Sequence, residues 1–351
     1  MSLDFESWSC PLPLRDTPNI VLGHGGGGQL SADLVGSLFL PSFGAAASND
    51  LGDAAVLEVP GGGRLAFSTD GYVVKPMFFP GGCIGDLAVN GTINDLAMSG
   101  ARPLWMSTAF ILAEGTPMAE VGRIAEVMGQ AAKAAGVQLV TGDTKVVDHG
   151  SGDGVYVTTA GIGVVPDGVD VHPRRTRPGD AVLISGEIGL HGVAVMSQRE
   201  GLEFGTAIES DTAAVNELVS ALLDAGIDVH TMRDPTRGGV AASTNEIAAA
   251  AGVGIELDER ALPIPQEVSD ACGLLGLDPL QVANEGKFLA FVPQEQADEA
   301  LAILRAMPLG ARAQQIGRVI DDHPGVVVAR TGLGATRVIG LPLGEQLPRI
   351  C

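Results

Sequence analysis

Four aspartates stand in similar short contexts, each beside glycine, threonine or asparagine, at positions Asp53, Asp70, Asp95 and Asp143. Magnesium prefers oxygen ligands and is usually held by a few carboxylates together with substrate phosphates. Aspartate beside glycine or threonine is also common in turns and helix caps, so each residue alone is weak evidence. As a set, the four predict a magnesium site that would let a strongly acidic protein bind ATP.

The segment around Asp95 adds polar residues at helical spacing. Asp86, Asn90 and Asn94 are four residues apart, so they form one stripe on an otherwise apolar predicted helix at 85–99. Polar groups that face inward need partners, which a metal ion or a nucleotide would supply. The stripe therefore predicts that Asn94 and Asp95 lie at the nucleotide.

A glycine run follows a short predicted strand at 20–22. Its glycines match the dinucleotide pattern G-x-G-x-x-G, but no acidic residue follows at the distance which that fold requires. No Gly-Lys-Ser/Thr is present, which excludes a P-loop. The run is interpreted as a loop whose N–H groups could wrap phosphates, although a plain surface loop fits equally well. Its members are His24, Gly25, Gly26, Gly27 and Gly28.

The composition narrows the class of protein. The chain has 351 residues, enough for two domains, and a formal net charge of −21, which discourages binding to nucleic acid or to a membrane surface. No apolar run is long enough to span a bilayer, and the acidic start argues against a secretory signal. The four cysteines form no C-x-x-C pair, so a reducing cytoplasm is the expected location.

Strand and helix patterns are mixed along the chain and predict an α/β or α+β fold. Strands are predicted at 54–59, 64–69, 155–165, 181–185, 254–257 and 288–292. Helices are predicted at 29–40, 85–99, 118–135, 212–225, 238–251 and 294–306. The basic, proline-containing segment 171–180 is interpreted as the domain boundary. This predicts an arm at 1–18, domains at 19–170 and 171–340, and a tail at 341–351.

The predicted tail has the features of an extended, mobile arm. Pro342 and Pro348 disfavour a helix, and Gly344 loosens the backbone. The last residue, Cys351, is a thiol that such an arm can deliver to different places, and a thiolate can accept an acyl or carbamoyl group. From these residues alone, an incidental cysteine at a frayed end is the alternative.

Eight short stretches, in order from near residue 20 to the last residue, carry a resemblance to a known family. They are His24-Gly-Gly-Gly-Gly28, Phe67-Ser-Thr-Asp-Gly71, Phe79-Pro-Gly-Gly82, Asn94-Asp-Leu-Ala97, Thr141-Gly-Asp-Thr-Lys-Val-Val147, Arg233-Asp-Pro-Thr-Arg-Gly-Gly239, Asn284-Glu-Gly-Lys287 and Pro348-Arg-Ile-Cys351. The chain resembles the HypE family of hydrogenase maturation factors, within the aminoimidazole ribonucleotide synthetase-like (PurM-like) superfamily. The Asp-rich motifs belong to the whole superfamily, whereas the Pro-Arg-Ile-Cys ending is typical of the HypE family.

The resemblance implies a two-domain PurM-like fold in which the first domain forms a β-barrel across a homodimer and binds ATP and Mg²⁺. It implies that a partner carbamoyltransferase, HypF, places a carbamoyl group on Cys351. The enzyme would be an ATP-dependent carbamoyl dehydratase that converts this group to a thiocyanate. The cyanide would then pass to iron on a HypC–HypD scaffold for nickel–iron hydrogenase.

The resemblance also implies roles for further residues. The four aspartates would hold magnesium on the triphosphate, and the glycine loop would close over it. Lys145 and Glu285 are candidates for proton handling and for orienting the thiocarboxamide. A phosphate clamp is the alternative for Lys145, and a structural hydrogen bond is the alternative for Glu285. Three residues of the second domain, Arg233, Asp234 and Arg237, could cap the site or a helix start.

Two rival functions remain at this level. Another PurM-like enzyme, such as a selenophosphate synthetase or a small-molecule kinase, would share the ATP site. A selenophosphate synthetase would need a reactive cysteine near the glycine loop. Cys10 lies upstream of this loop, but in a proline-rich arm that lacks the surroundings expected of such a cysteine. A non-enzymatic thiol carrier is the second rival, but a carrier needs no magnesium site. Cys10, Cys83 and Cys272 are interpreted as structural or incidental.

Overall fold

The computed structural model describes residues 19–43, 52–150, 152–202 and 208–341. The predicted arm at 1–18 and residues 342–351, with Cys351, lie outside the described residues. Within this part the chain forms two successive α/β units, each built on its own sheet. The predicted mixed class, α/β or α+β, is thereby confirmed.

The first unit is built on a five-stranded sheet and a small hairpin. The strands are β1 (Ala55–Glu58), β2 (Arg64–Tyr72), β3 (Phe78–Phe79), β4 (Gly82–Cys83), β5 (Arg102–Ala113), β6 (Gln138–Val147) and β7 (Val155–Val165). The sheet order is β1-β2-β7-β5-β6, in which only β5 and β6 are parallel, and β3 pairs with β4. Strand order therefore differs from chain order.

The helices of this unit are α1 (Gln29–Leu34), α2 (Leu40–Phe43), α3 (Ile84–Met98) and α4 (Met118–Ala134). Helix α3 packs against β2 and β7 and is buried along nearly its whole length. Its start is fixed by a capping box, since Cys83 Sγ accepts the Gly85 N–H and Asp86 accepts the Cys83 N–H. Cys83 therefore has a structural role, as predicted.

The described residues leave the other face of the first sheet uncovered. Along β2, Ala66, Ser68 and Tyr72 are buried toward α3, whereas Phe67 between them is exposed. In the cross-strand register, Phe67 and Trp105 both lie opposite Ile162, so three apolar side chains share this open face.

The second unit is a seven-stranded sheet with helices on both faces. Its strands are β8 (Asp180–Ile184), β9 (Thr231–Arg233), β10 (Gly254–Asp258), β11 (Leu289–Pro293), β12 (Gln314–Ile320), β13 (Val327–Arg330) and β14 (Thr336–Ile339). Its helices are α5 (Leu190–Glu200), α6 (Asn216–Asp224), α7 (Gly239–Ala251), α8 (Gln266–Leu275) and α9 (Ala297–Arg305). The sheet order is β14-β13-β10-β12-β8-β11-β9.

The central strand β8 shows why this sheet is covered on both sides. Ala181 and Leu183 pack in one core with α6 and α9, and Val182 and Ile184 pack in the other core with α7. An uninterrupted apolar strand is typical of a sheet buried on both faces. The predicted segment 171–180 leads from β7 into β8, and the domain limits stay a prediction.

The two units share apolar cores. Val195, Met196 and Ala283 of the second unit belong to the main core of the first, and Ala97 and Met98 of α3 belong to a core of the second.

No helix in the described parts of the chain combines the length and the hydropathy needed to cross a bilayer.

Two sequence predictions at the start of the chain are wrong in detail. The strand expected at 20–22 is absent, because this stretch is exposed and leads into a 3₁₀ turn at Leu22–Gly25. The helix expected at 29–40 forms but is interrupted by a π-helical turn at Val35–Phe39. Most strands and helices predicted further along form within a few residues of the expected bounds. The structure also contains elements that were not predicted, namely strands β3 to β6, β9 and β12 to β14 and helices α5 and α8.

Candidate active site

Three carboxylates from distant parts of the chain meet where the two units join. Asp53 precedes β1, Asp95 lies on α3 and Asp234 follows β9; each offers an oxygen within 4.8 Å of the others. Asp234 is buried, and Asp53 and Asp95 are largely buried. Carboxylate oxygens brought this close, away from water, form a donor set that suits a hard divalent cation such as Mg²⁺.

The pKa values of the three carboxyl groups also indicate a cation-binding site. Desolvation by burial raises the pKa of Asp53 and Asp95 well above the usual range, and for Asp95 the neighbouring Asp234 and Asp53 charges add to the shift. Burial also raises the pKa of Asp234 to about 6. A bound cation would remove this penalty, because it would stabilise the ionised form of each group.

Neighbouring side chains fix the orientation of two of these carboxylates. The Ser68 hydroxyl on β2 donates to Asp95 Oδ2 at 2.7 Å and lies 3.0 Å from the backbone carbonyl of Asp53. Arg233 Nε lies 2.9 Å from Asp53 Oδ1, and the same guanidinium donates to Glu246 at 2.6 Å. The strand β2 and the second unit thus hold Asp53 and Asp95 in place together.

Asp70 lies beside this group, on the same helix-facing side of β2 as Ser68. Its Oδ1 accepts the Gly71 N–H at 2.7 Å and lies 4.0 Å from a guanidinium nitrogen of Arg237. It is not one of the three carboxylates that meet within 4.8 Å. Its charge nevertheless contributes to the raised pKa of Asp95, so it belongs to the same electrostatic site.

Glu285 faces the same region from the loop before β11. Its side chain is buried, and burial followed by the charges of Asp234 and Asp211 raises its pKa well above the usual range. Its backbone is held by both units, since its N–H donates to Asp211 at 3.3 Å and its carbonyl accepts from Asn94 at 3.1 Å. The backbone is therefore fixed, and the buried carboxyl group lies close enough to Asp234 for the two charges to interact.

The polar stripe on α3 finds its partners in the second unit. The Asn94 amide donates to the carbonyls of Ala213 (3.0 Å) and Glu285, and its oxygen accepts the Val215 N–H at 2.8 Å. Asn90 donates to Thr212 at 3.3 Å. The expectation that a metal or a nucleotide satisfies this stripe is corrected, because both Asn94 N–H donors are already used at the junction of the two units.

Asp143 and Lys145 lie elsewhere, exposed on β6. Lys145 Nζ lies 2.6 Å from Asp143 Oδ2, and this hydrogen bond lowers the pKa of Asp143. Three strand steps separate β6 from β2, which is about 14 Å at the usual strand spacing. Within one chain the structure does not bring these two residues to the buried carboxylates, because strand order rather than local context decides their position.

The glycine loop lies against the second unit. Arg237 donates to the Gly25 carbonyl at 3.1 Å. Gly27 has φ +74°, and a Cβ there would lie 2.7 Å from Arg237 Cβ. The loop is braced internally, since Ser31 Oγ accepts the Gly27 N–H at 3.0 Å and donates to the His24 carbonyl at 2.9 Å. The sequence left two roles open for His24, contact with a phosphate or bracing of the loop. Its ring accepts the Val21 N–H at 3.0 Å, which fits the bracing role.

Comparison with known proteins matches both units to one superfamily. The family models "AIR synthase related protein", N-terminal and C-terminal domains, match residues 51–165 and 177–330. Carbamoyl dehydratase HypE of Cupriavidus necator is 52% identical over 341 residues, which is 97% of each chain. The chain belongs to the HypE family of carbamoyl dehydratases. It is therefore an enzyme, and the predicted family and two-domain PurM-like fold are confirmed.

Solved structures of the HypE family have the same fold. HypE in complex with ATP is 46% identical, with a TM-score of 0.80, and the match covers 95% of this chain and 100% of that chain. HypE from a HypE–HypF complex is 44% identical, with a TM-score of 0.84, covering 88% and 99% of the two chains. The family's enzymes act in hydrogenase maturation, as the sequence resemblance implied.

Two residues of this HypE-family site, Asp234 and Ser68, were not predicted from the sequence as part of the metal-binding group. Asp234 was expected to cap either the site or a helix start; it lies in the site, and the residue that caps α7 is Gly238. The position of Asp234 in the Arg233–Gly239 motif was the available signal. Ser68 was quoted within the Phe67–Gly71 motif without a role of its own, although its place two residues before Asp70 on a strand puts both side chains on one face.

Proposed function

We propose that this enzyme uses ATP to dehydrate an S-carbamoyl group on Cys351 to a thiocyanate. The observation that carries the proposal is the convergence of Asp53, Asp95 and Asp234 beside Glu285, in a chain whose last residue is a cysteine. A divalent cation site next to a buried proton acceptor is what ATP-driven dehydration requires. The HypE structure in complex with ATP supports ATP as the nucleotide.

The reaction balances as a phosphorylation followed by an elimination. The amide oxygen of the S-carbamoyl group attacks the γ-phosphorus of ATP, and ADP leaves as one N–H proton is lost. Removal of the second N–H proton forms the carbon–nitrogen triple bond while the carbon–oxygen bond breaks and phosphate leaves. Phosphate departs readily where hydroxide would not. The products are the thiocyanate, ADP and phosphate.

The chain's own residues divide these tasks. Asp53, Asp95 and Asp234, with Asp70 beside them, would hold Mg²⁺, which supplies charge neutralisation for the triphosphate. Glu285 is proposed to take a proton from the amide nitrogen, because a buried carboxylate with a raised pKa is a stronger base than an exposed one. The glycine loop is proposed to close over the phosphates.

A homodimer is proposed to form through the uncovered face of the first sheet. This face presents Phe67, Trp105 and Ile162, apolar side chains for which water is a poor environment. Asp143 and Lys145 lie on the same face, because their partners Ala109 and Ile111 on β5 continue the outward side of Trp105. In the dimer these two residues would act in the partner subunit's site, as magnesium ligand and as base or phosphate clamp.

Partner proteins are proposed to deliver the carbamoyl group and to receive the cyanide. The carbamoyl group is proposed to be placed on Cys351 by HypF, in keeping with the HypE–HypF complex among the similar structures. The cyanide is proposed to pass to iron on a HypC–HypD scaffold.

Intact-protein mass spectrometry tests the proposal. The chain is incubated with HypF, carbamoyl phosphate and MgATP, alongside the Cys351→Ala variant and a Cys10→Ala control. We expect one carbamoyl adduct that then loses one water in the native chain and in the control, and no adduct in Cys351→Ala. Replacing ATP after adduct formation by a non-hydrolysable analogue should stop the water loss.

Two outcomes would contradict the proposal in different ways. A stable adduct that never loses water, with HypF active and ATP intact, would make the chain a carrier of the carbamoyl group. The absence of any adduct would remove Cys351 from the reaction and leave an ATP-dependent enzyme with a free substrate.

A further inference from the structure

Arg237 lies where the glycine loop meets the acidic site. From the turn between β9 and α7, its guanidinium donates to the Gly25 carbonyl at 3.1 Å and lies 4.0 Å from Asp70 Oδ1. Burial raises the pKa of Asp234 and Glu285, and the charge of Arg237 offsets a small part of this rise. One side chain of the second unit thus touches the loop and faces the proposed phosphate and proton-transfer sites.

The loop is shaped to rest on this residue. Gly27 approaches Arg237 so closely that a Cβ would lie 2.7 Å from Arg237 Cβ and 3.3 Å from its carbonyl oxygen. The left-handed φ of +74° at Gly27 requires glycine for the same turn. The Ser31 bridge to Gly27 and His24 keeps the loop in this conformation. A nucleotide held under the loop would therefore lie next to the Arg237 guanidinium.

The other arginine of the site is bound in a different way. The Arg233 side chain is mostly buried between Asp53 and Glu246, with nitrogen–oxygen distances of 2.9 and 2.6 Å. The Arg237 side chain is 45% exposed, at the mouth of the site, and its 4.0 Å approach to Asp70 is longer than a hydrogen bond. Arg233 is suited to holding Asp53, whereas the more exposed Arg237 side chain lies between the glycine loop and Asp70, where a phosphate would enter.

The negative charge of the site favours a positively charged side chain, such as the Arg237 guanidinium, next to the phosphates. Asp53, Asp70, Asp95, Asp234 and Glu285 are carboxyl groups in one region, and ATP adds further negative charge. Charge on the transferred phosphoryl oxygens must be offset in the transition state, and a guanidinium matches phosphate oxygens with two parallel donors. An arginine in this role typically accelerates phosphoryl transfer by about 10³-fold or more.

We propose that Arg237 is a catalytic residue that binds the transferred phosphoryl group of ATP and, through its contact with Gly25 and Gly27, links that binding to closure of the glycine loop. This inference rests on the proposed function, because it assigns Arg237 to the phosphorylation of the amide oxygen. It gives the second unit a direct part in the chemistry, in addition to its share of the metal site.

Arg237→Gln and Arg237→Lys test this inference in the full chain. Single-turnover water loss from the carbamoylated chain gives the rate, and an ATP-binding titration gives Kd. We expect Arg237→Gln to slow water loss at least about 100-fold while ATP Kd rises less than about 10-fold. Arg237→Lys, which keeps the charge but not the two parallel donors, should be intermediate. The control Arg102→Gln, at a surface ion pair with Asp224, should match the native chain.

Hydrogen exchange of the loop at 22–28 gives a readout that does not depend on turnover. ATP should protect this loop in the native chain and in Arg102→Gln, and should protect it less in Arg237→Gln. Equal protection in all three, or a rate that falls only as far as ATP binding weakens, would overturn the inference. A native chain that binds ATP and protects the loop but never loses water would instead refute the proposed function and leave the role of Arg237 in loop closure standing.

Discussion

At the scale of single residues, the site is a group of carboxylates whose positions oppose their ionisation. Asp53, Asp95 and Asp234 share a small, largely dry volume, and Ser68 and Arg233 offset only part of the resulting cost. Such an arrangement is destabilising by itself and becomes favourable when a cation and a nucleotide bind. The raised pKa values are therefore a physical signature of binding rather than of packing.

The pH dependence of folding follows from the buried carboxyl groups of the site, and Asp234 shows its direction. Burial raises the pKa of Asp234 from 3.8 to about 6, so between these values the folded chain binds more protons than the unfolded chain. Stability must then fall as pH rises through this window. In EDTA, we expect the Tm of the native chain to decrease from pH 4 to pH 6, and Asp234→Asn to flatten the decrease. Thermal unfolding followed by circular dichroism measures both.

The exposed Asp224→Asn serves as the control for this experiment, because its side chain lies in a surface ion pair with Arg102. It should leave the slope of Tm against pH unchanged. An Asp234→Asn variant with the native slope would show that the carboxyl groups do not interact in the metal-free protein as the geometry requires.

At the scale of secondary-structure elements, α3 and the glycine loop organise the site. Helix α3 directs Asp95 to the carboxylates and Asn94 to the second unit, so one buried helix serves the chemistry and the junction. The glycine loop depends on close packing instead. Gly27 can approach Arg237 only because it lacks a side chain, whereas a Cβ at Gly25 would meet no atom within 4 Å.

Two alanine substitutions in the loop should therefore differ. Gly27→Ala places a methyl group against Arg237 and forces a left-handed φ, a strain of roughly 1–3 kcal/mol, so the loop should shift and ATP Kd should rise about 10-fold. Gly25→Ala meets neither obstacle and should weaken ATP binding clearly less. Binding titrations with thermal unfolding as a check on folding measure the difference. Equal effects of the two substitutions would contradict the packing of the loop on Arg237.

At the scale of the whole molecule, the distance between β6 and the buried site matters most. Asp143 and Lys145 have the local context of site residues but lie on the open face of the first sheet. The proposed homodimer resolves this, because the open face is the surface through which the partner subunit would be reached. Each active site would then combine Glu285 of one chain with Asp143 and Lys145 of the other.

Mixed dimers test this arrangement. Asp143→Asn and Glu285→Gln each should lower dehydration by at least about 100-fold when present in both chains. When the two variants are co-expressed and form mixed dimers, one site in each mixed dimer would be intact. We expect roughly a quarter of native activity from random pairing, measured as water loss per chain. No recovery, with mixed dimers demonstrated by mass spectrometry, would place both residues' function within one chain.

Local patterns predicted much of the fold. The spacing of apolar residues predicted α4, because burial on one side sets the period of such a helix, and the β-branched run at 155–165 predicted β7. Strands β5 and β6 escaped prediction. Many of the residues of β6 are exposed in the single chain, so the strand lacks the apolar alternation that marks a half-buried strand.

The sequence by itself determined the family, the acidic character of the protein and the Pro348–Cys351 motif, since these depend on residue types and their order. Only the tertiary structure decided which carboxylates meet. Asp234 joins Asp53 and Asp95 across the junction of the two units. Asp143 lies on β6, three strands away from β2, and the hydrogen bonds of Asn94 connect the two units. The physical reason is that a donor set is defined by distances of a few ångströms, and these follow from strand order and domain packing rather than from the residues beside each aspartate.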